Sequence, residues 1–210
     1  MQFFITGTDT GVGKTYITHH WLKQATDQGL RTLGLKPVSS GCERGREGLR
    51  HHDAVLLQAA SSIQLPYDQI NPFAFEPPIA PHLAAQAQGV MLSVETLTRH
   101  LIPLLQQPTD LTLIEGVGGW ATPLNAHERM SDLVASLHLP VILVVGMRLG
   151  CLNHALLTVD TLLANHCELA GWIANPIDPQ MLSLPENIKT LERWIPAPRY
   201  SSAHQGFRPQ

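Results

Sequence analysis

An apolar run, Gln2-Phe3-Phe4-Ile5-Thr6, leads directly into Gly7-Thr8-Asp9-Thr10-Gly11-Val12-Gly13-Lys14-Thr15, and the residues that follow have helical spacing. A strand that hands over to a helix through such a turn constrains the chain more than any other feature. Glycines let the backbone curl so that several N–H groups point at one anion. The helix start adds its positive dipole end. Lys14 supplies a mobile ammonium suited to the β- and γ-phosphates of a nucleoside triphosphate, and the Thr15 hydroxyl a ligand for Mg²⁺. The strict GxxxxGK[ST] spacing wants a glycine where Thr8 stands, and Gly7 comes one residue early. A glycine-rich turn capping an ordinary helix is the competing reading.

Four further apolar runs, Thr32–Val38, Leu111–Glu115, Val141–Val145 and Leu169–Asn175, read with the first as buried strands. They are continuously hydrophobic rather than alternating, as a parallel sheet covered on both faces requires. Helical spacing fills the intervals: Lys14–Gln28, Asp53–Ala60, Val94–Gln106, Ser131–Leu137, Asn153–Asn165 and Glu186–Trp194. This alternation predicts an α/β domain with a mainly parallel central sheet between two layers of helices, over residues 1–200, and ligands at the carboxyl ends of the strands. Gln64–Gly89, with five prolines and the aromatic residues Tyr67, Phe73 and Phe75, reads as a long ordered loop. Residues 201–210 read as a mobile polar tail.

With 210 residues the chain is long enough to bury a core without disulfides. A formal charge of −3 provides no electrostatic footprint for nucleic acid or a membrane surface. Cys42, Cys151 and Cys167 form no CxxC pair and are odd in number, which suits free thiols in a reducing compartment. No basic segment precedes Phe3-Phe4-Ile5, and the apolar run 139–147 is too short to span a bilayer, so a cytoplasmic protein is expected.

A phosphate-loop enzyme needs carboxylates for Mg²⁺, usually at the end of a neighbouring strand. Glu115 ends the strand Leu111-Thr112-Leu113-Ile114, and Gly116-Val117-Gly118-Gly119 then allows close backbone approach to a ligand. The alternative is an ordinary solvated strand end. Lys36 lies inside Leu33-Gly34-Leu35-Lys36-Pro37-Val38, where a lysine is desolvated unless it faces a cleft or an anion. A lysine snorkelling from a strand end is the plainer reading. Asp53 opens a helical segment, where Asp serves as an N-cap for local reasons, and spacing alone does not bring it to the phosphate loop. The histidine pairs 19–20 and 51–52 lack helical metal spacing, and His82 receives no role.

Four blocks in order, residues 7–15, Lys36-Pro37-Val38-Ser39-Ser40-Gly41, Glu115-Gly116-Val117-Gly118-Gly119-Trp120 and Leu149-Gly150-Cys151-Leu152-Asn153-His154, resemble those of the dethiobiotin synthetase family. Asn71-Pro72, Pro81-His82 and residues 170–175 add smaller likenesses, so the resemblance runs from Met1 to about Pro198. It implies ATP- and Mg²⁺-dependent joining of CO₂ to 7,8-diaminononanoate, closing the ureido ring of dethiobiotin through a carbamate and a carbamic-phosphoric anhydride. It implies that Lys36 and Lys14 are catalytic and that Thr15, Asp53 and Glu115 hold the metal, which moves Asp53 from cap to ligand. By the same resemblance Gly11, Val12, Gly13, Lys14, Thr15, Tyr16, Asp53, Glu115, Gly116, Val117, Gly118, Asn175 and Pro176 bind ATP, Asn175 at the base. Thr10, Lys36 and Ser40 line the carbamate. Gly150, Cys151, Leu152 and Asn153 take the substrate carboxylate from the partner subunit of a homodimer.

Past Pro198 the family usually continues with a Gly-x-Ile/Leu-Pro segment that encloses the base, whereas here Arg199-Tyr200-Ser201-Ser202 follows. Looser nucleotide selectivity is the expectation. Two other classes compete: a partitioning-type switch ATPase, opposed by the Lys36 and Glu115 blocks, and a cobyrinate-type amidating synthetase, which would need a glutaminase domain.

Overall fold

The computed structural model describes residues 1–201. Its main sheet is six-stranded in the order β10-β9-β8-β1-β7-β2, and every pairing within it is parallel. The strands are β1 (Gln2–Gly7), β2 (Thr32–Leu35), β7 (Leu111–Glu115), β8 (Val141–Met147), β9 (Leu169–Pro176) and β10 (Arg199–Tyr200). β1 is central, with β7 and β2 on one side and β8, β9 and β10 on the other. Chain order therefore reverses at β1, the point where open α/β sheets hold ligands beyond their carboxyl ends.

Neighbouring residues of one strand face opposite layers. Phe4 joins the cluster containing Leu33, Leu35, Leu97, Leu101, Ile114 and Leu133. Ile5 joins Ile17, Trp21, Leu22, Leu57, Leu113 and Val144 on the other face. Helices α1 (Lys14–Asp27) and α2 (His52–Ala60) supply the second cluster; α5 (Val94–Leu105) and α6 (Met130–Leu137) supply the first. A third cluster packs α7 (Cys151–Ala164) and α8 (Leu184–Trp194) on β8 and β9 through Leu143, Val145, Val159, Trp172 and Leu191. The three-layer arrangement expected from the strand and helix alternation is what the chain adopts.

Two segments depart from the sequence reading. The run 32–38 is not one strand. β2 stops at Leu35, and Pro37, which has no N–H for a ladder, comes two residues later. Lys36 N donates to Ile70 O at 3.0 Å. The chain then enters a second, two-stranded sheet in which β3 (Val38–Ser40) pairs in parallel with β6 (Phe73–Phe75). Residues 64–89 are accordingly not one loop, because they carry α3 (Tyr67–Ile70), β6 and α4 (Pro81–Ala87). Tyr67, Ile70 and Phe75 are buried, so the aromatic residues do anchor the segment. A short antiparallel hairpin, β4 (Glu43–Gly45) with β5 (Gly48–Arg50), precedes α2. The tail assigned to 201–210 lies outside the described residues beyond Ser201.

Candidate active site

The turn between β1 and α1 takes its shape from glycines in the left-handed region. Gly11 has φ +74° and Gly13 φ +92°, and a Cβ on Gly13 would also lie 2.1 Å from Asn175 Nδ2. Val12 between them is buried in the cluster that holds Ile5, Ile17 and Val144. Lys14 begins α1 and folds back over the turn, donating from Nζ to Asp9 O at 2.9 Å and Gly118 O at 2.6 Å. Burial, with the Lys36 charge as the second cause, lowers the Lys14 pKa from 10.5 to about 8. An ammonium so desolvated would be stabilised by an arriving polyanion.

Glu115 ends β7 beside this turn, fully buried. Its Oε1 accepts from Thr15 Oγ1 at 2.8 Å and from Lys36 Nζ at 2.6 Å. Lys36 Nζ also donates to Gly116 O at 3.2 Å and sits 3.5 Å from Asp53 Oδ2. Lys36 does not snorkel. Only 3% exposed, it turns inward from the end of β2.

Asp53 does not cap α2. His51 is the N-cap, its Nδ1 accepting from Asp53 N at 3.2 Å, and that leaves the Asp53 carboxylate free to face Lys36. His51 itself lines the cleft, and burial lowers its pKa. Spacing alone signals neither the His51 cap nor the pairing of Asp53 with Lys36.

The cleft above these groups has a volume of about 740 Å³. Thr10, Gly11, Gly13, Lys14 and Thr15 line one side, with Lys36, Ser40, Asp53 and Glu115 at its charged centre and Val117 and Gly118 beyond. Pro78, Ile79, Ala80 and Pro81 form a less polar wall. Gly116 is packed against the Phe4 ring and reaches the site only through its carbonyl.

Other expected site residues lie elsewhere. The Tyr16 side chain is 55% exposed and stacks on His20. Asn175 holds the turn from the end of β9 by donating to Val12 O at 2.8 Å, and neither it nor Pro176 lines the cleft. Gly150, Cys151, Leu152 and Asn153 begin α7 as expected, with Gly150 at φ +93°, yet none of them lines the cleft.

The donor set suits a hard cation. Thr15 Oγ1 and the carboxylates of Asp53 and Glu115 converge, and Glu115 Oε2 is buried with no hydrogen-bond partner. Two carboxylates and a hydroxyl, with remaining positions left to water and phosphate, are what Mg²⁺ commonly takes. Among the described residues no group of three or more His, Cys, Asp and Glu side chains is placed to hold a metal by itself.

Sequence comparison decides the family. Residues 1–201 match the model of an AAA domain family of phosphate-loop proteins. The chain is 51% identical over 196 residues to the ATP-dependent dethiobiotin synthetase BioD of Pseudomonas paraeruginosa, covering 93% of this chain and 86% of that protein. The chain belongs to the dethiobiotin synthetase family.

Proteins of the same name from Cellvibrio japonicus, 51% identical with the same coverage, and Aeromonas hydrophila, 47% identical over 94% of this chain and 87% of that one, agree. Among solved structures, the MinD cell division protein of Aquifex aeolicus matches with a TM-score of 0.55 over 96% of this chain and 81% of its own, at 14% identity. The MinC:MinD complex of the same organism gives 0.56 at 16% identity, over 94% and 78%. These likenesses, well under 25% identical, establish the fold alone.

Proposed function

We propose that this chain is an ATP- and Mg²⁺-dependent ligase of biotin synthesis that closes the ureido ring of dethiobiotin from 7,8-diaminononanoate and CO₂. The observation that carries the proposal is the junction at Glu115. One buried carboxylate joins the phosphate-loop Thr15 to Lys36, a lysine delivered from a different strand into the same cleft. A simple triphosphatase has no evident need for that second buried ammonium. A ligase that must hold two anions together while one is phosphorylated does.

One amine of the substrate adds to CO₂ and loses a proton, giving a carbamate. A carbamate oxygen attacks the γ-phosphorus, ADP leaves, and a carbamic-phosphoric anhydride results. The second amine then attacks the anhydride's carbonyl carbon; phosphate leaves with the C–O electron pair, and the five-membered ring closes as the amine sheds its proton.

The backbone of Gly11, Val12 and Gly13 and the start of α1 cradle the phosphates. Lys14 exchanges its two carbonyl partners for β- and γ-oxygens. Lys36 places its charge between carbamate and γ-phosphoryl oxygens, and lowers their repulsion as they approach. The hydroxyls of Thr10 and Ser40 border the same space. Thr15, Asp53 and Glu115 would hold Mg²⁺, which when bound neutralises phosphate charge.

The α7 start, remote from its own cleft, suits the substrate's carboxylate if a second copy of the chain supplies it, and 95% exposure of the adjacent Leu149 supports an interface there. Residues 1–200 act as one unit in this reading. No helix among the described residues is long and apolar enough to cross a membrane, in keeping with a cytoplasmic enzyme.

The test is an assay of purified protein with ATP, Mg²⁺ and bicarbonate, with and without 7,8-diaminononanoate. Diamine-dependent ADP release with formation of dethiobiotin is expected. Equal ADP release in both conditions, with no ring product, rejects the ligase in favour of a switch-type ATPase.

A further inference from the structure

Lys36 sits where the chain has just left the main sheet at the end of β2. Its backbone has lost strand partners on the far side of Leu35, and another segment replaces them. Lys36 N donates to Ile70 O at 3.0 Å, and Lys36 O accepts from Asn71 Nδ2 at 2.6 Å. Both bonds come from the end of α3, from residues adjacent in sequence. Asn71 is 2% exposed, so its amide has no water to fall back on, and every contact it makes is a constraint.

The other end of the amide is equally committed. Asn71 Oδ1 accepts from Ser39 Oγ at 2.7 Å and from Tyr67 OH at 3.0 Å. Two hydroxyl donors on one atom and a carbonyl acceptor on the other fix the amide orientation. Tyr67 OH in turn accepts from His51 N at 2.7 Å, and the His51 ring accepts from Asp53 N at 3.2 Å. An unbroken chain of hydrogen bonds therefore runs from the carbonyl of Lys36 to the start of the helix that aims Asp53 back at Lys36 Nζ. The Arg50 guanidinium lies 4.2 Å above the Tyr67 ring and presses that ring from outside the network.

We propose that Asn71 is a positioning residue for Lys36, and that the Tyr67 hydroxyl extends the same constraint to Asp53. Neither side chain lines the cleft. Their effect is on where the ammonium and the carboxylate sit relative to the phosphate loop, which has its own supports on β1, β7 and β9. The proposal rests on the ligase reading above, because it concerns the step that Lys36 serves.

It distinguishes positioning from mere stability by two signatures. Displacing Lys36 slows the chemistry while leaving nucleotide binding at Lys14 intact, so kcat falls and KM for ATP does not rise. The loss also disappears once Lys36 has no ammonium to position, since residues acting through one group are not additive.

The experiment measures dethiobiotin formation for the wild-type enzyme first, then for Asn71→Ala, Tyr67→Phe, Lys36→Ala and both double variants with Lys36→Ala, alongside thermal melting of each. Without wild-type ring formation the ligase reading itself fails, and the two failures are thereby separated. Given an active wild type, Asn71→Ala is expected to lower kcat about 10- to 100-fold with KM for ATP within about twofold. Tyr67→Phe keeps the ring over Arg50 and deletes one oxygen, and is expected to cost about three- to tenfold. In the Lys36→Ala background each should cost less than about twofold. Single-variant turnover equal to wild type, parallel loss of ATP binding, or undiminished loss in the Lys36→Ala background would each overturn the proposal. If Asn71→Ala does not fold, Tyr67→Phe carries the same test alone.

Discussion

Lys14 reaches its place from a single stretch, Gly7–Thr15, seated between the central strand and the helix that follows it. Lys36 is held by α3 and the residue after it, by β7 and by the N-terminus of α2, all separated from it in sequence. The first half of the cleft is built mainly from one stretch: its glycines set the turn, and Lys14 reaches back five residues to Asp9 O, with Gly118 O and the Asn175 amide as distant supports. The second half is an assembly in which Asp53, Asn71 and Glu115 are contributed separately. The phosphate loop is thus built on the central strand and the helix that follows it. In the proposed function, the group that acts on the partner of the phosphate is carried by a neighbouring substructure assembled from separate segments.

The sharpest way to break that comparison is to remove each ammonium in turn. Lys36→Ala should lower dethiobiotin formation about 10²- to 10³-fold while leaving the affinity for a non-hydrolysable ATP analogue within a few fold. Lys14→Met should weaken analogue binding and turnover together. Equilibrium binding and steady-state kinetics on the same preparations separate the two outcomes. If Lys36→Ala loses nucleotide affinity as heavily as Lys14→Met, the halves are not independent.

The next effect is on stability. The Lys14 pKa in the folded, ligand-free protein is about 8 against an ordinary 10.5. Between those values the unfolded chain binds more protons than the folded one, so stability rises with pH across the window. Below pH 8 the penalty is fully present, and above 10.5 it is gone. Its size is of the order of 3 kcal/mol. Lys14→Met should therefore stabilise the ligand-free protein at neutral pH and flatten this rise. Urea melts between pH 7.5 and 10, without nucleotide or metal, read both; a slope identical in wild type and variant would rule the mechanism out.

These differences also govern what could be read from the chain before its structure. The phosphate loop was legible because its physics is contiguous: strand, glycines, lysine and helix start lie in order. Lys36 was legible because a lysine inside an apolar run has few places to go, and Glu115 because an acid closing a buried strand meets the carboxyl edge of the sheet. On local grounds Asp53 read as a cap, and only the family resemblance moved it to the site. A residue two positions before it, His51, does the capping, and histidine is not a favoured cap. Asn71, Tyr67 and Ser39 belong to a proline-rich stretch and a short turn, where polar residues ordinarily face water. Their burial follows from the pairing of β3 with β6, which neither segment announces by itself. The break at Pro37 was the available signal. A lysine whose strand stops beside it needs new partners for its backbone, and a buried asparagine is well equipped to provide one.

Within the loop half, two glycines allow a graded test. Gly11 and Gly13 both have positive φ, but a Cβ on Gly11 meets nothing within 4 Å, whereas one on Gly13 strikes Asn175 Nδ2. Gly11→Ala should cost about 1 kcal/mol of stability from backbone strain alone. Gly13→Ala should cost about 2–3 kcal/mol and distort the nucleotide seat as well. Shortening Asn175 to Ala in the Gly13→Ala protein should recover part of the difference, because it removes the atom struck. Melting curves of the four proteins decide; equal costs for the two glycine variants would mean that the Asn175 contact does not shape the loop.

The smallest expected effect concerns the loop's one long-range ion pair among the described residues. Arg148 bonds Asp9 Oδ2 at 2.7 Å, joining the shoulder of the loop to the segment ahead of α7. Both side chains are more than a third exposed, at 41% and 49%, so solvent and salt screen the pair. Such pairs contribute about 0–1 kcal/mol. Asp9 also anchors the turn locally, accepting from Thr10 N at 2.7 Å, and that bond does not depend on Arg148. Arg148→Ala should therefore shift the melting temperature by no more than about 3 °C and leave ATP-analogue affinity within about twofold, with the small difference vanishing in high salt. A tenfold loss of affinity would show that the loop borrows its shape from the start of α7. The phosphate-binding half would then be as much an assembly of distant parts as the half around Lys36.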